Sequence, residues 1–172
     1  MISSRTMTDQ PVTGVVQIHS TPSALRPHLE WALGGVIGVP THLEWKPQPV
    51  EPNSWRAELA FAGRAGTGAR LTSELARWQR VRFDVTETPR SGGAGQRWSV
   101  TPSLGVFAAA TNEVGDIVVH EDRIRQAMAA SVARGTDLHH GLEALLGAPW
   151  DAELEPFRRA EDDQVRWLHH VV

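Results

Sequence analysis

Between Gly14 and Val85 the spacing of apolar residues alternates between the two-residue period of a strand and the 3.6-residue period of a helix. No other feature of the chain limits its fold so strongly. The β-branched run GVVQIHS, residues 14–20, reads as a buried strand. Thr21 offers an N-cap hydroxyl, and Pro22 suits a first helical position, where an N–H has no partner. Leu25, Leu29, Ala32, Leu33 and Val36 then form a helical stripe. Pro27 must kink this helix or delay its start. Gly34, Gly35 and Gly38 loosen and end it, and Pro40 prevents its continuation.

The segment THLEWKPQP alternates between prolines and is too short for a helix, so residues 41–46 are predicted to form a strand. The tetrapeptide HLEW thus occurs twice, at 28–31 and 42–45. On a helix His28 and Trp31 are neighbours and Glu30 points away from His28. On a strand His42 and Glu44 share one face, and Leu43 and Trp45 the other. The same letters in two backbone periods display different constellations, so the repeat is not a duplicated site.

Residues 54–63 alternate again, with Trp55, Ala57, Leu59 and Phe61 on one face. The turn GRAGTG leads into a helix starting near Thr67, with Leu71, Leu75 and Trp78 at helical spacing. RVRFDVTE follows as a strand with Val81, Phe83 and Val85 inward. Strand–helix–strand–strand–helix–strand is the βαββαβ order of a ferredoxin-like split βαβ unit, four antiparallel strands with two helices on one face. The strand at Gly14 is then central, between those at Ser54 and Val81.

Beyond the loop of residues 88–96, RWSVTP, GVFAAAT and DIVVH read as three short strands, with a turn at NEVGD. EDRIRQAMAASVARG is a helix with Ile124, Ala127, Met128 and Ser131 on one face, and TDLHHGLEALLG another with Leu138, Leu142 and Leu145 buried. The ending VRWLHHVV alternates and is predicted as a final strand. The expected organisation is an α+β chain: a disordered tail at 1–13 and one domain at 14–172. That domain comprises a ferredoxin-like half at 14–88 and a strand-and-helix extension, βββαα-β, at 97–172.

Composition removes several functions. The 172-residue chain has no cysteine, so disulfides, thiolate nucleophiles and thiolate metal sites are excluded. Net charge is −3 without a basic block, which argues against nucleic acid or an anionic membrane as partner. No apolar run approaches the ~20 residues that span a bilayer, and the first residues do not form a secretory signal, so a cytoplasmic protein is expected.

The stretches VVQIHSTPSALRPHLEWALGG, GTGARL, GDIVVHEDRIRQAM, LLGAPWDAELEPFR and VRWLHHVV together resemble an actinobacterial family classed as a domain of unknown function (DUF3145-like). The resemblance runs from about Gly14 to Val172. It implies a bacterial cytoplasmic protein and gives no residue a role.

Among eight histidines, His139 and Glu143 are neighbours on one helix beside His140, and read as a solvated face. His169 and His170 would point to opposite faces of a strand. His120, Glu121 and Asp122 resemble the acidic start of a helix. None of the recognised metal motifs occurs, and no metal or cofactor is expected. His19, near the end of the first strand and beside Ser20, is the one candidate acid–base residue; it needs a carboxylate partner that the sequence does not identify. No G-x-S-x-G elbow surrounds Ser20. A second candidate is an anion site at Arg64, Gly66, Thr67, Gly68 and Arg70, where a helix N-terminus carries arginines and glycines instead of acids. Trp55, Trp78 and Trp98 read as core. Trp31, Trp45 and Trp167 are outside the main stripes and could face a partner. The function these features favour is non-catalytic: a regulatory or adaptor protein that binds a protein partner or a small anionic ligand. The alternatives are an acid–base enzyme using His19, or a structural subunit of a larger complex.

Overall fold

The computed structural model describes residues 10–168, with side chains as far as residue 160. Its strands are β1 (Pro11–Pro22), β2 (Lys46–Pro47), β3 (Ser54–Arg64), β4 (Arg82–Pro89), β5 (Gly95–Thr101), β6 (Gly105–Thr111) and β7 (Ile117–Val118). They form one sheet in the order β2-β3-β1-β4-β5-β6-β7, antiparallel at every pairing. β1 is the strand between β3 and β4, as its β-branched sequence requires. The helices are α1 (Arg26–Ile37), α2 (Thr67–Ala76), α3 (Glu121–Arg134), α4 (Leu138–Leu145) and α5 (Ala148–Leu168).

Period-two alternation gives the sheet two different faces. Val16, Ile18, Phe61, Phe83, Val85, Trp98 and Val100 turn to one side, where Leu29 and Leu33 of α1 and Leu71 and Leu75 of α2 complete the main core. The intervening residues of β4 and β5 (Arg82, Asp84, Arg97, Ser99 and Thr101) turn to the other side. There they meet α5, which contributes buried Leu154 and Phe157. The N-terminal end of α5 is seated on β6: the Trp150 indole donates to the Gly105 carbonyl at 3.0 Å and packs on Phe107 at 5.2 Å between centroids.

Several expectations are corrected by local chemistry. Pro27 delays the first helix: β1 runs through Pro22, residues 23–25 form a 3₁₀ turn, and α1 starts at Arg26. Thr21 is therefore a buried strand residue and not an N-cap. The strand expected at 41–46 shrinks to Lys46–Pro47, because the Leu43 N–H bonds to Glu30 and not to a neighbouring strand. Leu43 and Trp45 still turn toward the core. Trp55 is half-buried beneath the Arg26 guanidinium, 4.2 Å from its ring, instead of lying in the main core. Leu138, Leu142 and Leu145 are half-buried, and no residue of α4 is fully covered. The ending expected as a strand is helical as far as Leu168, and its last four residues lie outside the described range.

Ile18 is 2% exposed in the central strand. An unpaired carboxylate there costs several kcal/mol, against a total stability of about 5–15 kcal/mol. Ile18→Asp is therefore expected to remove the cooperative unfolding transition in urea. A variant that unfolds at the wild-type midpoint would show that β1 is not central to the core.

Candidate functional site

His19 is the extra residue of a β-bulge. The pairing of β1 with β4 passes from Ile18↔Phe83 to Ser20↔Arg82, and its pairing with β3 shifts in the same place. Alternation from core-facing Ile18 puts His19 on the α5 side of the sheet, where its Nε2 lies 2.8 Å from Asp84 Oδ2. Both residues are buried. Here is the carboxylate partner that the sequence could not identify.

Asp84 is held on every side. Ser99 Oγ donates to Oδ1 at 2.5 Å, and Arg158 donates from Nε (2.9 Å) and Nη2 (2.7 Å) to the same Oδ2 that faces His19. Arg158 Nη1 and Arg97 Nη2 both reach Asp151, at 2.7 and 2.8 Å. Burial alone would raise the Asp84 pKa. The bond and charge of His19, the charge of Arg158 and the Ser99 hydroxyl outweigh it, and hold the carboxyl well below the usual carboxylate range. Burial opposes the charge of Arg158, yet Asp84 and Asp151 raise its pKa. Two carboxylates and two guanidiniums thus balance within one cluster. A second polar group lies beside it, with Arg82 between Glu51 and Glu153 and the hydroxyls of Thr101 and Ser103 on Glu153.

As an acid–base centre this arrangement has little room. His19 lines a cleft of about 110 Å³ with Gln17, Lys46, Glu58 and Phe157. That is space for a few waters at about 30 Å³ each, below the roughly 300–1,000 Å³ of ordinary ligand sites. Ser20 is no nucleophile for His19, since its hydroxyl donates to Glu51.

The second sequence candidate contains an anion of its own. The N–H groups of Gly66 and Gly68 donate to the two carboxylate oxygens of Glu87, at 2.9 and 2.6 Å. Glu87 supplies from β4 the negative charge that the first turn of α2 lacks. Gly66 has φ +88°, and a Cβ on Gly68 would stand 2.7 Å from Trp98 and 3.1 Å from Glu87. Both glycines therefore have a structural cause. The Thr67 hydroxyl donates to the Arg64 carbonyl and accepts from Arg70. An external anion would have to displace Glu87 from these donors.

A third location has a different character. Trp31 is 81% exposed and lines, with Pro27, Gly34, Gly35, Gly38 and residues 39–42, an open groove of about 690 Å³. The two HLEW copies meet here. Glu30 Oε1 accepts from the Leu43 N–H and from the Trp45 indole, both at 2.9 Å, and Oε2 lies 3.6 Å from His42 Nδ1. Gly38 ends α1 at φ +87°, and a Cβ on Gly34 would press on the Val39 carbonyl at 2.9 Å. Gly35 has neither reason: it is mid-helix with ordinary φ, and a Cβ there would meet nothing within 4 Å. Beyond Gly35 a second hollow of about 340 Å³ opens against Ala69, Arg70 and Ser73 of α2.

The remaining candidates are simple. His139 and Glu143 form an exposed pair at 3.3 Å, and His120 takes the N-cap position of α3 without a side-chain bond. Trp98 is core, and Trp78 is half-buried with His28 stacked on it at 5.2 Å. Among the described residues no cluster of three metal-ligating side chains occurs, and no helix is long and apolar enough to cross a membrane.

Fold and sites together define a mixed α+β protein built on a seven-stranded antiparallel sheet, with a buried ionic cluster on one face and an open groove outside the helices of the other. Residues 15–170 match the family described as "Protein of unknown function (DUF3145)", and the chain belongs to it. No curated protein and no solved structure matches the chain.

The depressed pKa of Asp84 fixes the sign of a pH effect. Its stabilisation is complete above the unfolded value of about 3.9 and is lost as pH falls toward the folded value. Asp84→Asn is expected to cost about 3 kcal/mol at neutral pH. The gap to wild type should then narrow by roughly 1 kcal/mol per pH unit below about pH 4. A gap that stays constant in urea titrations between about pH 7 and pH 3 would contradict this role.

Proposed function

We propose that this chain is a non-catalytic binding protein of regulatory or adaptor type, whose protein partner docks in the groove beside Trp31. The observation that carries the reading is Gly35. A glycine within a helix costs about 0.5–1 kcal/mol relative to alanine, and neither backbone conformation nor internal packing asks for one here. Its place in the lining of the groove supplies a reason, since a bare backbone lets another chain approach closely. The exposed indole beside it is the kind of side chain that anchors interfaces.

The same geometry weighs against the other readings. The charge of Asp84 is already opposed by Arg158, and the cleft at His19 is small, so the pair serves α5 docking better than proton transfer. A small anion at residues 64–70 competes with Glu87 for both backbone donors. α3 has no buried residue and exposes Ile124, Met128 and Val132, but none of these is an aromatic anchor. We also read β1 to β4 with α1 and α2 as a ferredoxin-like unit. Its support is the partial order β2-β3-β1-β4 and the placement of both helices over one face.

Three substitutions test the groove. Gly35→Ala is expected to raise stability by about 0.5–1 kcal/mol. Gly35→Leu should keep the wild-type thermal midpoint or exceed it while filling the groove. With a partner purified from its native source and titrated calorimetrically, Gly35→Leu and Trp31→Ala should each weaken binding at least about tenfold, or 1.4 kcal/mol. Undiminished binding by both variants would remove the groove as the docking surface.

A further inference from the structure

We propose that the chain forms a two-fold dimer in which α3 of each copy lies on the β6–β7 end of the other copy's sheet. The dimer is independent of the groove beside Trp31.

Two apolar surfaces lack a cover, and they are of complementary kinds. The first is on α3. Ile124, Met128 and Val132 stand at i, i+4 and i+8, one stripe of the helix, and all three are exposed, Val132 to 89%. No residue of α3 is buried, and the helix packs on α4, which has no fully covered residue either. The ends of α3 are nevertheless well made. Glu121 and Asp122 occupy its first turn and Arg134 its last, and Gly135 follows at φ +65°. A helix of 14 residues is marginal in water unless an apolar face is covered.

The second surface is the sheet beyond α2. Val106 pairs with Val100, Ala108 with Trp98, and Val118 with Ala110. Directly paired residues share a face, and alternation keeps Ala110 with Ala108. Val106, Ala108, Ala110 and Val118 therefore lie on the same face as Trp98 and Val100 of the main core. Trp98 and Val100 are buried, whereas Val106, Ala108 and Val118 are exposed, Val106 to 50%. Helices laid on the sheet cover this face over its other strands.

A second copy supplies both missing covers at once, because one chain carries the helical stripe and the bare sheet together. The exchange is isologous and closes on itself, so neither surface stays open. Dimensions agree. α3, with 14 residues, is about 21 Å long, and β6, with 7 residues, extends about 24 Å. A contact about 10 Å wide, made twice and counted on both copies, removes on the order of 1,200 Å² from water, the lower end for specific stable interfaces. Charge favours the same pairing. Residues 104–119 carry Glu113 and Asp116 and no basic side chain, while α3 carries three arginines against two carboxylates.

Sedimentation equilibrium of the full-length chain tests the exchange. The wild type is expected to pass from monomer to dimer with a micromolar Kd. Met128→Glu on the helix and Ala108→Lys on the sheet should each weaken the dimer at least about tenfold. Both should keep the wild-type urea midpoint in dilute solution, where the monomer prevails; if Met128→Glu does not, Val132→Glu takes its place. An equimolar mixture of the helix and sheet variants should dimerise more tightly than either alone. One of its two contacts is wild type on both sides, and the other sets the introduced carboxylate against the introduced ammonium. A wild type that stays monomeric to roughly 200 µM overturns the proposal. So does a dimer that survives both substitutions, or a mixture no tighter than its components. Loss with the helix variant but not with Ala108→Lys would mean that α3 pairs with α3, and overturns the exchange onto the sheet.

Discussion

A buried carboxylate must be surrounded by donors or it will not stay charged, and in this fold one such carboxylate draws four elements together. Asp84 projects from β4 and is bonded by His19 of β1, Ser99 of β5 and Arg158 of α5. Desolvating these charges is expensive, and the cluster repays it only when every member is in place. That requirement makes it a positional device. A slide of α5 by one turn would separate Arg158 from Asp84, Asp151 from Arg97, and Glu153 from Arg82 and Thr101, leaving buried charges unpaired. Leu154 and Phe157 supply the apolar attraction for α5, and the ion pairs fix where along the sheet it lies.

This division of labour separates the structural surfaces from the available one. One sheet face is closed by α1 and α2 over apolar residues, and the central part of the other by α5 over polar ones. The remaining concavity of ligand size with an exposed aromatic wall lies on the outer side of α1. Its geometry depends on Glu30, which ties residues 43 and 45 back onto the helix beside the groove-lining residues 39–42. The HLEW repeat is thus two halves of one contact: the glutamate of the first copy holds the leucine N–H and the tryptophan of the second.

The helical and strand periods made most of the first half legible. β1, β3, α2 and β4 stand where alternation and helical stripes put them, and Pro27 announced the late start of α1. The sequence did not reveal that the second sheet face is covered. Arg82, Asp84, Arg97 and Ser99 alternate with apolar residues as the solvated side of a strand would, and period alone does not distinguish water from α5. The covering helix was missed because Pro149 and Pro156 interrupt its pattern, while VRWLHHVV mimics alternation. His19 could be singled out, but its partner could not: Asp84 is 65 residues away, and which residue lies beside the ring depends on the pairing of β1 with β4. At residues 64–70, where the sequence suggests an external anion, the N-terminus of α2 takes a negative charge, as its dipole favours. That charge comes from the chain itself, through Glu87.

The central claim is that the Asp84–Arg158 contact holds α5 in register on the sheet. A double-mutant cycle measures it most directly, with Asp84→Asn, Arg158→Gln and the double variant unfolded in urea at neutral pH. Residues sharing a buried ionic network couple by about 0.5–3 kcal/mol, and a value near 2 kcal/mol is expected for a contact with two donors on one oxygen. A coupling within about 0.3 kcal/mol of zero would mean that the two residues act independently, and that the Asp84–Arg158 contact does not hold α5 in register.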